Sequence, residues 1–332
     1  MEPTVEPRVS DSEHFTSDEV WEYLAHIHYT GSMKPTIEVL AELQRCHTLS
    51  VPFENLSVFG REKIVLSKDW LFDKILRRHR GGFCYELNRL FSLLLDYFGF
   101  KHELHAASVF DYKTGSKGTP SHVILAINIE NEIWVSDVGF GFCTFPPLRL
   151  KGLLDNQVLH GSGPDRIRKH GDQYIFEQRI QTFVDEFGHE EGPKEQFTCE
   201  DDPQWVPRYK FNLNPKTIDD FQDMLLFHQT DARSPFTHDR LCTLAKPWGR
   251  LTLSGSKLVI STYLADYKVR KTRKILCGEE EVVKELEEKF GIRREACLYP
   301  DGSMFHGVDW SKDRLKEQYR IVKLSDFLFE GL

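Results

Sequence analysis

The segment Arg80-Gly81-Gly82-Phe83-Cys84-Tyr85-Glu86-Leu87-Asn88 carries more structural information than any other part of the chain. Two adjacent glycines let a backbone turn tightly and leave room for another molecule to approach. Beyond them Leu87, Leu90, Phe91 and Leu94 recur at i, i+3, i+4 and i+7, one apolar face of a helix, and Gly99 supplies its C-terminal cap. Cys84 therefore stands at or near a helix N-terminus, directly after a glycine turn. Unpaired N–H groups and a partial positive charge gather there, and such settings favour the reactive thiolate. A buried, inert cysteine is the competing reading, and it is the ordinary fate of a free thiol.

Upstream, Thr16 and Glu19 have capping-box spacing, and Val20, Leu24 and Ile27 follow on one helical face. Pro35-Thr36 opens a second helix, with Val39, Leu43 and Cys46 buried. Ser67 caps a third, whose buried face is Leu71, Phe72, Ile75 and Leu76. Downstream the pattern changes. Residues 104–110, 122–129, 132–138 and 172–182 have strand character, and Glu130-Asn131 reads as a hairpin turn. Residues 183–204 are acidic, contain Gly and Pro, and read as an exposed insertion. Mixed strands and helices begin near 208, and a helix over Glu279–Phe290 ends at Gly291.

Helices, then strands, then a mixed section make an α+β chain. Its expected division is a disordered tail over 1–14, a helical segment over 15–103, a β-rich segment over 104–215, and a mixed α/β segment over 216–332. At 332 residues the length corresponds to about two domains, enough to bury sizeable cores without disulfide or metal staples. The net charge of −8 argues against a dedicated nucleic-acid binder. Seven cysteines with no CxxC pair fit neither a disulfide framework nor a zinc site, so no metal is expected. The start, Met1-Glu2-Pro3-Thr4-Val5, has no secretory character, and the apolar run Leu87–Phe100 is too short and polar to span a bilayer. The expected location is the cytoplasm of the cell, with no membrane partner.

A nucleophilic cysteine needs a base, and the base needs an orienting group. His122 opens the apolar run Val123–Ile129, and Asp137 ends the run Ile133–Val138. With the two-residue turn Glu130-Asn131, Ile129 pairs with Glu132 and Ile124 with Asp137. His122 then shares a face with Ile124 and lies diagonal to Asp137, about 7–8 Å away in backbone terms and within side-chain reach. A three-residue turn would put the two on opposite faces. Each residue alone has an ordinary reading, a satisfied histidine or a strand-end turn former before Gly139 and Gly141. As an ordered set with Cys84, each stands at a structural transition.

The chain resembles the arylamine N-acetyltransferase family. The resemblance rests on Val51-Pro52-Phe53-Glu54-Asn55-Leu56, Arg80 to Asn88 as quoted, Ser121-His122 and Asp137-Val138-Gly139-Phe140-Gly141, with a weaker match at Ser234-Pro235-Phe236. It covers about residues 20–265 and thins beyond. It implies a helical bundle, a β-barrel and a C-terminal α/β lid around a cysteine-protease-like Cys-His-Asp core. It also implies ping-pong acyl transfer from acyl-coenzyme A to arylamines or arylhydrazines through Cys84, His122 and Asp137. The backbone N–H groups of Cys84 and Val109 would stabilise the oxyanion. Phe53, Phe140 and Phe236 match substrate-pocket positions, and Phe142 and Thr144 lie where members differ in acceptor choice. Core packing is the ordinary alternative for each phenylalanine.

For the nucleotide end of coenzyme A, the loop Gly115–Ser121 offers Thr119 and Ser121, and Arg233 offers a charge, although a solvated surface arginine is its commoner state. Glu54 and Arg80 read as a structural pair fixing the turn before Cys84, and Glu86 as structural too. The tail, the acidic insertion and the long C-terminal section resemble the longer fungal members. Some of those use malonyl-coenzyme A and inactivate aminophenol-type toxins, so acetyl- and malonyl-coenzyme A both stand as donors. A thiol hydrolase or transglutaminase-like enzyme and a non-catalytic coenzyme A binder are the competing readings. The oligomeric state is left open.

Overall fold

The structure is a computed structural model and describes residues 13–110, 119–141, 146–150, 159–160, 163–185, 187–190, 198–199 and 202–297. The 1–14 tail therefore lies almost wholly outside the described residues.

The helices begin where their caps dictate. In α1 (Ser17–His26) the Thr16 hydroxyl accepts the Glu19 N–H at 3.3 Å, and the Glu19 carboxylate accepts the Thr16 N–H at 2.7 Å. The Thr36 hydroxyl caps α2 (Ile37–Ser50). Val20, Leu24, Ile27, Val39, Leu43 and Cys46 all join one core. A two-residue strand, β1 (Phe53–Glu54), and a short helix, α3 (Leu56–Phe59), follow. The third expected helix departs from its reading. Ser67 stands at the N-cap of α4 (Lys68–Leu71) without making a capping bond, and the helix widens into a π-helical stretch over Phe72–Arg77. Its buried face is still Leu71, Phe72, Ile75 and Leu76. Then α5 (Cys84–Phe98) starts at Cys84 and ends on Gly99, whose φ of +79° is the left-handed conformation glycine adopts without strain.

Eight strands form the second layer: β2 (Lys101–Val109), β3 (His122–Ile129), β4 (Glu132–Ser136), β5 (Leu148–Arg149), β6 (Leu159–His160), β7 (Gly163–His170), β8 (Gln173–Arg179) and, after β9 (Thr182–Val184), β10 (Trp205–Lys216). Their order is β5-β4-β3-β2-β10-β8-β7-β6, and the sheet curls until β5 approaches β7, nearly closing a barrel. Ala107, Ile124, Val135, Phe176, Tyr209 and Phe211 fill its interior.

After α6 (Gln222–Thr230), the strands β11 (Leu241–Lys246), β12 (Gly249–Ser254), β13 (Lys257–Tyr263) and β14 (Lys268–Ile275) form the second sheet, ordered β1-β11-β12-β13-β14-β9. Leu244, Leu253 and Leu258 on one face pack with Val282, Leu286 and Phe290 of α7 (Glu279–Phe290). Two short strands cross the expected boundaries. β1 leaves the helical segment to pair with β11, and β9 runs parallel to β14. The second pairing corrects the reading of 183–204 as wholly exposed, because Phe183, Val184 and Cys199 are buried. Few apolar residues anchor that segment, but their partners lie far along the chain, beyond the reach of local pattern.

Four buried charges join the bundle to the glycine turn. Arg80 Nε lies 3.0 Å from Glu54 Oε1, and Lys74 Nζ lies 2.6 Å from Glu86 Oε1 and 3.8 Å from Glu54 Oε1. Glu54 also accepts the Gly81 N–H, and Glu86 accepts the Phe83 N–H, so the network clamps the backbone on both sides of the turn. Burial raises both carboxyls. At Glu54 the charges of Arg80 and Lys74 prevail and hold it at about 2, whereas at Glu86 burial and the Glu54 charge leave it raised. Space in the turn is as restricted as charge: a Cβ on Gly81 would sit 1.9 Å from the Pro52 carbonyl oxygen.

Removing one member leaves an unbalanced charge in the interior. Glu54→Ala is expected to lower unfolding free energy by about 3–5 kcal/mol in urea denaturation, against less than about 1 kcal/mol for the exposed pair member Glu42→Ala.

Candidate active site

Cys84 is the first residue of a 15-residue helix, so the backbone N–H groups of the first turn of α5 surround it. The residue is buried, and its Sγ lies 4.0 Å from the Ser121 carbonyl oxygen. His122 begins β3 immediately after that carbonyl. The β3–β4 hairpin has the two-residue turn: Ile129 pairs with Glu132, Leu125 with Ser136, and Glu130 and Asn131 have φ of +53° and +65°. Positive φ at both turn residues is the type I′ geometry that follows the twist of the strands. This register puts His122 and Asp137 on one face, and His122 Nε2 lies 2.7 Å from Asp137 Oδ2. Nε2 being so engaged, Nδ1 is the nitrogen left for Cys84, whose sulfur is close enough to help hold the ring's charge.

Asp137 is held from three further sides. Asn88 Nδ2 donates to Oδ1 at 3.0 Å and the Gly139 N–H donates to the same oxygen at 2.9 Å. The hydroxyl of Tyr209, whose ring centroid is 5.3 Å from that of His122, is the third partner. Asn88 also donates to the Val123 carbonyl and accepts the Val138 N–H, pinning both strands of the hairpin to α5. Sequence reasoning assigned no role to Asn88 or Tyr209. Asn88 had a signal, since it lies one helical turn after Cys84 and so on the same face. Tyr209 had none. Gly139 completes the junction: a Cβ there would be 2.8 Å from Cys84 Cα.

The electrostatics follow from this burial. Desolvation pushes the His122 imidazolium down, but the charge and hydrogen bond of Asp137, with Cys84 contributing less, hold it up at about 10. Burial raises the Asp137 carboxyl, yet His122, Asn88 and the Gly139 N–H bring it below its ordinary value.

A cavity of about 200 Å³ opens over Cys84. Phe53, Phe140 and Phe236 line it, as does Val109 at the end of β2. Phe140 stands edge-on to the His122 ring at 5.4 Å, and the Phe53 and Phe236 rings, tilted to one another, have centroids 6.2 Å apart. Asn55 aims Phe236 into place: its Nδ2 donates to the Phe236 and Asp239 carbonyls and its Oδ1 accepts the Leu241 N–H. Ser121 lines the cavity, whereas Thr119 is exposed and outside the lining. Arg233 is also exposed and outside it, its guanidinium bonded to both oxygens of Asp231 and set over Phe227. Phe142, Thr144 and residues 115–118 lie outside the described residues. Phe110 and His228 line the cavity without having been singled out, and Pro235 of the quoted Ser234-Pro235-Phe236 motif lines it too. Among the described residues no cluster of His, Cys, Asp and Glu could hold a metal ion, and no helix is long and apolar enough to cross a membrane.

Comparison with known proteins agrees with this architecture. A family model described as N-acetyltransferase matches residues 36–297. An arylamine N-acetyltransferase of Gallus gallus, pineal gland isozyme NAT-10, is 30% identical over 288 residues, 84% of this chain and 96% of that protein. The chain belongs to the arylamine N-acetyltransferase family. It is an acyltransferase on that ground. The family member from Salmonella typhimurium superposes with a TM-score of 0.72 at 25% identity, covering 88% of this chain and 96% of that one. The member from Mycobacterium marinum, solved in complex with CoA, superposes with a TM-score of 0.69 at 25% identity, covering 82% and 92%.

The His122–Asp137 pair makes stability pH-dependent in a defined sense. His122 is raised above its ordinary 6.5, so its contribution is complete below about pH 6.5 and fades as pH rises toward about 10. Asp137 is lowered, so its contribution is present above its ordinary 3.8 and fades in acid below that value. Thermal melts from pH 4 to 10 are expected to show His122→Gln losing part of the alkaline decline seen in the parent.

Proposed function

We propose that the protein moves an acyl group from an acyl-coenzyme A to an arylamine or arylhydrazine, in two half-reactions through an acyl-Cys84 intermediate. The observation that carries this reading is the buried His122–Asp137 pair beside a cysteine at a helix N-terminus, under an aromatic-walled cavity. The names of its relatives, and the bound CoA of the Mycobacterium marinum structure, support the choice of substrates.

Before the first half-reaction the Cys84 proton already resides on His122, as an imidazolium that Asp137 holds beside the thiolate. The sulfur attacks the thioester carbonyl. Its oxygen becomes an oxyanion that backbone N–H groups of Cys84 and Val109 receive, and each such donor is worth about 2.7–4 kcal/mol in the transition state. The tetrahedral adduct collapses, coenzyme A leaves, and His122 returns a proton to its sulfur. In the second half-reaction the amine nitrogen attacks the acyl-cysteine carbonyl and His122 accepts a proton from it. The amide departs and Cys84 is regenerated. Phe53, Phe140 and Phe236 keep water from the thioester, which would otherwise hydrolyse. The acyl group is acetyl or malonyl, and Ser121, which lines the cavity, remains the candidate contact to coenzyme A. Cytoplasmic location belongs to the same reading.

Acetyl-, propionyl- and malonyl-coenzyme A, each offered with and without an aromatic amine, distinguish the readings by free-thiol release. Amine-dependent release is expected, and the fastest donor names the acyl group. Release without amine would point to a hydrolase, and no release with any donor would sink the proposal. Asp137→Asn is expected to cut kcat/KM by about 10³- to 10⁴-fold, as losing the orienting carboxylate does in other triads.

A further inference from the structure

One buried polar pair adjoins the triad and is used by none of the steps above. On α2 the positions 40, 43, 44 and 47 fall at i, i+3, i+4 and i+7, the spacing of one buried face, and all four side chains are sealed from solvent. Leu40 and Leu43 suit that face, whereas a glutamine at 44 does not. Opposite Gln44 stands Ser136, the last residue of β4, which is also wholly buried. The Ser136 hydroxyl donates to Gln44 Oε1 at 2.6 Å. Side chains alternate along β4: Val135 belongs to the barrel core, and Ser136 pairs with Leu125, which belongs to the core under the helices. Helix α2 thus grips the end of the strand from the side away from the barrel interior.

The next residue is Asp137. Its neighbours on both sides are held by side-chain amides of the helical layer, Ser136 by Gln44 and the Val138 N–H by Asn88 Oδ1 at 3.1 Å. The chain leaves α2 through Val51 to Pro52, whose carbonyl accepts the Gly82 N–H at 3.3 Å, and then to Glu54 of the charge clamp. One helix therefore bears on the turn before Cys84 and on the strand end before Asp137. A hydrogen-bonded pair of this kind adds little stability over two apolar side chains that fill the same space. Its distinctive contribution is a fixed distance, because a shifted strand end would leave the Ser136 hydroxyl buried without its partner.

We propose that Gln44 is a positioning residue for the acyl-transfer reaction, holding Ser136 so that the adjoining Asp137 stays in line with His122. This rests on the acyl-transfer reading and adds a residue that lies outside the cavity lining. Its effect passes through the imidazolium. A carboxylate out of line stabilises that charge less, and the Cys84 thiolate beside it forms less readily. The titratable groups about the His122–Asp137 pair are Cys84 on α5, Tyr209 on β10 and His228 on α6. Gln44 and Ser136 carry no charge, so exchanging them for apolar residues alters geometry and leaves the charges as they were.

The test compares the parent with Gln44→Leu, Ser136→Ala and the double variant Gln44→Leu/Ser136→Ala. Stability is read by urea denaturation. The triad is read by the pH dependence of Cys84 alkylation by iodoacetamide, which needs neither an acyl donor nor an amine. Each single variant takes away one side of a buried bond and should lose stability, and the double variant, with neither side left, should regain part of it. The alkylation midpoint is expected about one pH unit higher in all three variants, a tenfold lower rate on the acid side. The shift in the double variant should match that in the singles, since all three break the same contact. Amine-dependent kcat/KM should fall about tenfold in parallel. Where a single variant fails to fold, the double variant decides alone. A parental midpoint in the double variant overturns the proposal. So does a midpoint that follows stability, displaced in the single variants and restored in the double. A displaced midpoint together with no transfer from any donor would sink the acyl-transfer reading and leave Gln44 as the residue that sets the thiolate.

Discussion

Four charges that water cannot reach decide where the central helix begins. Taking Glu54, Lys74, Arg80 and Glu86 out of solvent costs several kcal/mol for each ion, and only a closed set of contacts compensates. The set closes when the segment around Phe53-Glu54 meets the Gly81-Gly82 turn, because Glu54 binds Arg80 and the Gly81 N–H together. Glu86 then caps the helix from within its own first turn. Such a network adds little stability over an apolar core of equal volume. It does reject every other register of the turn, and a one-residue slip would move Cys84 off the helix start. The carboxylate two residues after Cys84 thus acts on the backbone, and Lys74 is its counter-charge.

The second constraint is parity. Side chains alternate along a strand, so the number of residues in the β3–β4 turn decides whether His122 and Asp137 share a face. Asn88 extends that local geometry to the helical layer by binding Asp137 and both strands at once. The close contact of Gly139 with Cys84 leaves no slack between the layers. The cavity walls are fixed similarly from a distance, with Asn55 holding the Phe236 turn.

What could be read from the chain was what local chemistry determines. Thr16 with Glu19, the glycine at 99 and the turn at 130–131 act over a few residues, and their patterns are explicit. So was the juxtaposition of His122 and Asp137, once the turn length was settled. Long-range partners were illegible. Phe183 and Val184 are two apolar residues in an acidic stretch, with no periodicity to mark β9, and their partner strand lies much later in the chain. Tyr209 and His228 reach the site from elements whose sequence gives no reason to single them out. Arg233 shows the converse: the sequence marks a cation beside a recognisable motif but not that Asp231, two residues earlier, pairs with it.

The site is divided between layers that are made at different times. Cys84 belongs to the helical layer, while His122 and Asp137 belong to one hairpin of the barrel. Synthesis runs from the N-terminus, so the thiol leaves the ribosome before either partner, and Phe236 comes later still. A partly made chain holds an unassisted thiol, open to water and without an aromatic cover. On the proposed mechanism it has no competent nucleophile to load from the cellular thioester pool. Acyl-cysteine chemistry then begins only when the last wall of the cavity is in place, so no hydrolysis-prone intermediate is carried by an unfinished protein.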